Sequence, residues 1–188
     1  MKFYESGDNR KPVIFLFPGT CCLYSSFDHV LDGLHSYFYT VTVSYDGFDP
    51  NEKTEFYSME DECEKIEQEI RKKYGGRIYL VAKIQSSMVV PFMYKMVHTG
   101  TLPKFMQKKL DKTDGGKKEL YNGFFNMFGI GKGGSPWITK QSIYNQFYSD
   151  LVTKVQHGID VPGTTIHVFY ATKMGKKYEK RYCTYFKN

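Results

Sequence analysis

The side chains able to do chemistry are scattered along this 188-residue chain rather than grouped. Its four cysteines do not suit a disulfide framework: Cys21 and Cys22 are neighbours, and Cys63 and Cys183 sit in amphipathic stretches that suit buried thiols. The five histidines, His29, His35, His98, His157 and His167, show no HxxxH or HExxH step, and no CxxC occurs, so no metal site is expected. The run 129-GIGKGGS-135 lacks the GxxxxGK[ST] spacing that cradles phosphate, and it follows a helical pattern rather than a buried strand, so it reads as a loop. The segment 18-PGTC-21 interrupts an apolar run, and on its residues alone it reads as a strand-to-helix turn that binds nothing.

These residues need a scaffold, and the composition supplies one. Hydrophobic residues make up 41% and charged residues 24%, ordinary globular usage that excludes disordered and fibrous classes. The length suits a single domain over residues 1–188. Apolar runs reach about five residues, against the roughly 20 needed to cross a bilayer. No charged-then-apolar leader follows Lys2, and the expectation is a cytoplasmic protein with no membrane span. The net charge of +6 invites a nucleic-acid reading, but acidic residues crowd into 46–69 and basic ones into 104–118 and 173–187. No helix-turn-helix, RNA-binding sheet or zinc-finger pattern accompanies them, so nucleic acid is a minor hypothesis.

The first half alternates strand and helix. The apolar run 13–17 is a buried parallel strand ended by Pro18-Gly19, and 26–35 is a helix with Phe27, Val30, Leu31 and Leu34 on one face and Ser25 or Ser26 as its cap. A β-branched and aromatic strand over 38–44 leads into the turn-rich loop 45-YDGFDP-50. Ser58 caps the clearest helix, in which Met59, Cys63, Ile66 and Ile70 form the stripe facing a sheet; Gly75-Gly76 ends it, and 77–82 is the third strand. Two βαβ units predict a mostly parallel sheet flanked by helices. Residues 88–135, rich in Met, Phe and Lys, read as a helical lid or insertion. A helix over 139–155 follows, with Ile143, Phe147, Leu151 and Val155 at steps of four, then a strand over 165–170 and a last helix over 175–186.

At this point the blocks VIFLFPGTCCLYSSFDHVLDGL, VTVSYDGFDP, TEFYSMEDECEKIEQEI and GRIYLVA resemble the N-terminal half of small bacterial α/β hydrolases of a type found in Firmicutes. VVPFMYKMVHTGTLPKFM, ITKQSIYNQFYSDLVT and GIDVPGTTIHVFYATKMGKKYEKRY resemble later parts of the same group. The resemblance implies an α/β-hydrolase-like fold with a small helical lid. It also implies serine-hydrolase chemistry on a carboxylester or similar acyl compound through an acyl-enzyme, without cofactor. On this resemblance the oxyanion-hole donor is the backbone N–H of Thr20 or Cys21.

The chain departs from the pattern where the nucleophile belongs. After the third strand such proteins carry GxSxG, a strained turn that lifts a serine above the sheet. This chain reads 81-VAKIQSSMVVPF-92, with no glycine between Gly76 and Gly100. Either Ser87 (or Ser86) is the nucleophile of a degenerate elbow, or the elbow, its helix and the next strand are missing between Ala82 and Lys83. The second reading is preferred because KIQSSMVVP runs directly into the lid-like block. The histidine expected beyond the final strand is also missing, since His167 falls within the strand pattern TIHVFY and reads as structural. The fold is therefore expected to be incomplete and turnover impaired. A strand lost from the sheet would leave exposed edges that a homodimer could pair. The alternative function is a non-catalytic module that retains a small apolar ligand under the lid.

Overall fold

The computed structural model describes residues 1–74, 78–82, 137–153, 165 and 180. The lid over 88–135, Ser86, Ser87, Val155, His167, Cys183 and, apart from residues 165 and 180, the last expected strand and helix lie outside them. The chain divides into two units, Met1–Val152 and Thr153–Asn188, and the first carries the architecture below. Its elements are β1 (Lys2–Ser6), β2 (Val13–Phe17), a 3-10 turn (Tyr24–Phe27), α1 (Asp28–His35), β3 (Tyr39–Ser44), α2 (Met59–Lys73), β4 (Ile78–Ala82) and α3 (Lys140–Val152).

Strand alternation builds a two-sided sheet in the order β1-β3-β2-β4. β2 pairs in parallel with both neighbours, Val13 opposite Tyr39 on one side and Ile78 on the other. β1 runs antiparallel to β3, with Lys2 opposite Ser44. The sheet is thus mostly parallel with one antiparallel margin, an arrangement that needs helices on both faces. Phe15, Val41 and Val43 point to one face, where Met59, Ile66 and Ile70 of α2 pack against them together with Ile143 and Phe147 of α3. Ile14 and Leu16 point to the other, where Phe27, Leu31, Leu34 and Phe38 cover them. Each large side chain so buried contributes about 1.5–3 kcal/mol relative to exposure.

Four details differ from the sequence expectations, each for a physical reason. β1 was not foreseen: KFYES is short and half-exposed, so its pattern is weak until β3 offers it a hydrogen-bonding edge. In the α2 stripe Met59, Ile66 and Ile70 do pack against the core, but Cys63 is exposed and Glu62 is buried in its place. Ser58 does cap this helix, its hydroxyl accepting from the Asp61 N–H at 3.2 Å. At α1 neither serine serves as cap; a 3-10 turn precedes the helix and Phe27 stands at its N-cap. In α3 Leu151 faces solvent, and the buried face runs instead through Ser142, Ile143, Gln146, Phe147 and Ser149. No helix among the described residues is long and apolar enough to cross a membrane.

Candidate functional site

Parallel strands point their carboxyl ends to one edge of the sheet, where open α/β sheets hold their ligands. The loops leaving β2 and β3 meet α3 there. After β3 the segment Tyr45–Asp49 is buried throughout, although its composition reads as a surface turn. Gly47 makes this burial feasible: its φ is +77°, and a Cβ placed on it would lie 2.3 Å from Ser142 Oγ and 2.8 Å from the Phe56 nitrogen.

α3 is fastened across this edge by polar side chains rather than by its apolar stripe alone. Ser142 Oγ accepts from the Phe56 N–H at 3.1 Å, and Asn145 Nδ2 donates to the Phe56 carbonyl at 2.8 Å. Ser149 Oγ accepts from the Met59 N–H at 3.3 Å. Residues 142, 145, 146, 149 and 150 follow helical spacing along one side, so the helix satisfies loop backbone while Ile143 and Phe147 enter the core.

Two of these polar residues grip the loop after β2. The Cys22 N–H donates to the Gly19 carbonyl at 2.9 Å, closing a tight turn in which Cys21 adopts the left-handed conformation, φ 57°. That conformation is uncommon for a residue with a Cβ, and such outliers concentrate at functional sites. The Cys21 N–H donates to Gln146 Oε1 at 2.6 Å in a buried setting. One residue earlier, the Thr20 hydroxyl donates to Asp150 Oδ2 at 2.6 Å. Burial pushes the Asp150 carboxyl above its usual range, with the Thr20 hydroxyl opposing the shift. Burial also raises the Cys21 thiol well above its ordinary value, and the carboxyl of Asp150 adds to that. The thiol is therefore kept protonated and is a poor nucleophile.

Thr20 and Cys21, the expected oxyanion-hole residues, thus stand together at the carboxyl edge. Gln146 and Asp150 escaped the sequence reading. Their signal was a polar stripe at steps of four, 142, 146 and 150, one position ahead of the apolar one.

A second cluster lies between the loop after β3 and α2. Carboxylate oxygens of Asp46, Asp61 and Glu62 lie within 4.8 Å of one another. Lys65 Nζ meets Asp46 at 2.5 Å, pairs with Asp61, and stands 3.6 Å from Glu62; the Met1 ammonium also pairs with Asp46. Burial and the Asp46 charge push Glu62 up to about 7. Burial alone would also raise Asp46, but Lys65 and the amino terminus outweigh it and hold that carboxyl below its usual range. Ammonium groups already fill the places a cation would take.

The sheet and its flanking helices match solved structures. Over 79% of this chain and 66% of the other, 1H-3-hydroxy-4-oxoquinoline 2,4-dioxygenase superposes with a TM-score of 0.53 at 13% identity. The chain has an α/β-hydrolase-like fold. A protein of Desulfitobacterium hafniense assigned to the α/β-hydrolase family matches over 79% of this chain and 71% of its own, at 10% identity and a TM-score of 0.48. A hydrolase from Pseudomonas aeruginosa matches over 81% and 69%, also at 10% identity and 0.48. No family model matches the sequence, and no curated protein matches it.

Proposed function

We propose that this protein is a serine-hydrolase-type relative within the α/β-hydrolase fold, taking a carboxylester or similar acyl compound at its carboxyl edge, with turnover impaired. The observation that carries this reading is the turn after β2, where a strained Cys21 delivers its N–H to a carbonyl oxygen at 2.6 Å. A donor so placed suits an acyl oxygen in a ligand equally well. Impairment is read from the elbow region, since neither Ser86 nor Ser87 is flanked by glycine. Loss of a triad member leaves about 10³–10⁴-fold acceleration over water. The fold by itself does not choose the reaction, as the dioxygenase neighbour illustrates. On the same reading the protein is cytoplasmic, needs no cofactor and pairs with a second copy of itself.

A second reading, a non-catalytic module that retains a small apolar ligand, is favoured by one specific contact: Gln146 already occupies the Cys21 donor. Treatment with a fluorophosphonate, followed by intact mass and peptide mapping, separates the two. An adduct on Ser87 or Ser86 that disappears on replacement by alanine supports the hydrolase. An unmodified, folded protein whose unfolding midpoint rises saturably with octanoate sinks the catalytic reading in favour of the binding module.

A further inference from the structure

An acyl ligand on this site depends on the Cys21 N–H, and that group is engaged from within the molecule. Gln146 is 2% exposed, and its Oε1 is the acceptor. A primary carboxamide carbonyl is the same kind of acceptor as the carbonyl of an ester or amide ligand. The way α3 is built separates this contact from the others on its face. Ser142, Asn145 and Ser149 tie the helix to residues 56 and 59. Gln146 and Asp150, one turn apart, instead take two consecutive residues of the turn after β2. The helix would remain anchored at three points with the Gln146 side chain withdrawn.

We propose that Gln146 is an internal stand-in for the ligand: its carboxamide occupies the place on the Cys21 N–H that a ligand's acyl or carboxamide carbonyl takes, and α3 holds the site closed until that side chain is displaced. The inference rests on the donor role proposed for Cys21 and names what regulates it. A ligand must compete with an acceptor that never diffuses away. A hold equal to one net hydrogen bond leaves the donor open in roughly one molecule in ten, so removing the acceptor tightens binding about tenfold.

The test uses the full chain, ¹⁵N-labelled, with butyramide as the probe and the Cys21 amide resonance as the readout. Gln146→Met keeps the length and bulk of the side chain and removes the acceptor. The half-saturating butyramide concentration at Cys21 is expected to fall about tenfold in the folded variant. An unchanged or raised value overturns the inference and leaves Gln146 a structural residue, whose loss lowers only the unfolding midpoint. Gln146→Glu, read at pH 8.5 so that the buried carboxyl is ionised, gives an independent arm, because a carboxylate accepts more strongly. Butyramide affinity is expected to drop at least fivefold there, and unchanged affinity again overturns the proposal. Hydrolysis of p-nitrophenyl butyrate, followed alongside, reads the catalytic assignment separately. Tighter binding in Gln146→Met with no hydrolysis in any form keeps this inference and removes the esterase. Hydrolysis by the unaltered protein without tightening in the variant keeps the esterase and removes this inference.

Discussion

Glu62 shows how one buried side chain ties stability to pH. It is buried on α2 beside Asp46, its Oε2 accepts the Asp46 N–H at 3.2 Å, and its Oε1 has no hydrogen-bond donor among the described residues. Burial and the neighbouring Asp46 charge raise it from 4.5 to about 7, despite Lys65 nearby. The folded state therefore holds this proton more tightly than the unfolded chain does. The resulting stabilisation is complete below about pH 4.5 and is lost as pH rises to about 7, a change on the order of 3 kcal/mol. Asp46, held low, acts in the opposite sense and only at more acid pH; Asp150, held high, acts in the same sense as Glu62. Urea unfolding at pH 5, 6, 7 and 8 is expected to show stability falling up to pH 7 and levelling beyond it. Glu62→Gln should remove most of that slope while Lys65 retains Asp46 and Asp61. A slope unchanged in Glu62→Gln would assign the effect to another group.

Gly47 and Ser142 join the loop after β3 to α3, and the fit between these two elements decides whether the carboxyl edge forms. Alanine at position 47 would face the left-handed backbone and a side chain 2.3 Å away at once. The backbone contributes about 1–2 kcal/mol of strain and the overpacking about 1–3 more. For Gly47→Ala we expect a loss of about 3 kcal/mol, or on the order of 10 °C in the unfolding midpoint. The shorter Ser142→Gly in the same chain should recover part of it by removing the clashing hydroxymethyl. No recovery would place the cost in the left-handed backbone and the close Phe56 nitrogen. The same junction explains what the sequence disclosed and what it did not. β2, β3, β4 and α2 were legible because continuous apolar runs and a capped 3.6-residue pattern are local signals. The donor turn was legible because Pro18-Gly19 interrupts such a run. The burial of Tyr45–Asp49, the inward turn of Glu62 and the polar face of α3 were not, since each polar group is tolerated only by a partner far along the chain. Gln146 finds Cys21 across 125 residues and Ser142 finds Phe56 across 86, separations that no periodicity within one segment records.

At the scale of the molecule, charge and exposed apolar surface give different grounds for self-association. Residues 1–74 hold 8 Lys and Arg against 14 Asp and Glu, a charge of −6, so residues 75–188, with 18 against 6, carry +12. Opposite charge on two stretches of one chain favours contacts that salt weakens, because the screening length is about 10 Å at 0.1 M and about 3 Å at 1 M. β4 offers the other cause. Leu80 is 59% exposed and Val81 42%, on a strand paired on one side with β2. Apolar strand surface of this kind invites pairing with a second copy, and salt does not screen it. Sedimentation velocity at 50 and 500 mM NaCl distinguishes the two. We expect a dimer that persists at 500 mM, and Leu80→Lys should convert it to monomer while shifting the unfolding midpoint little, since an exposed substitution costs within about 0.5 kcal/mol. A dimer that dissolves at 500 mM would assign association to the segregated charge. A monomer under both conditions would mean that β4 does not pair between copies, and the exposure of Leu80 and Val81 would then have to be explained within a single chain.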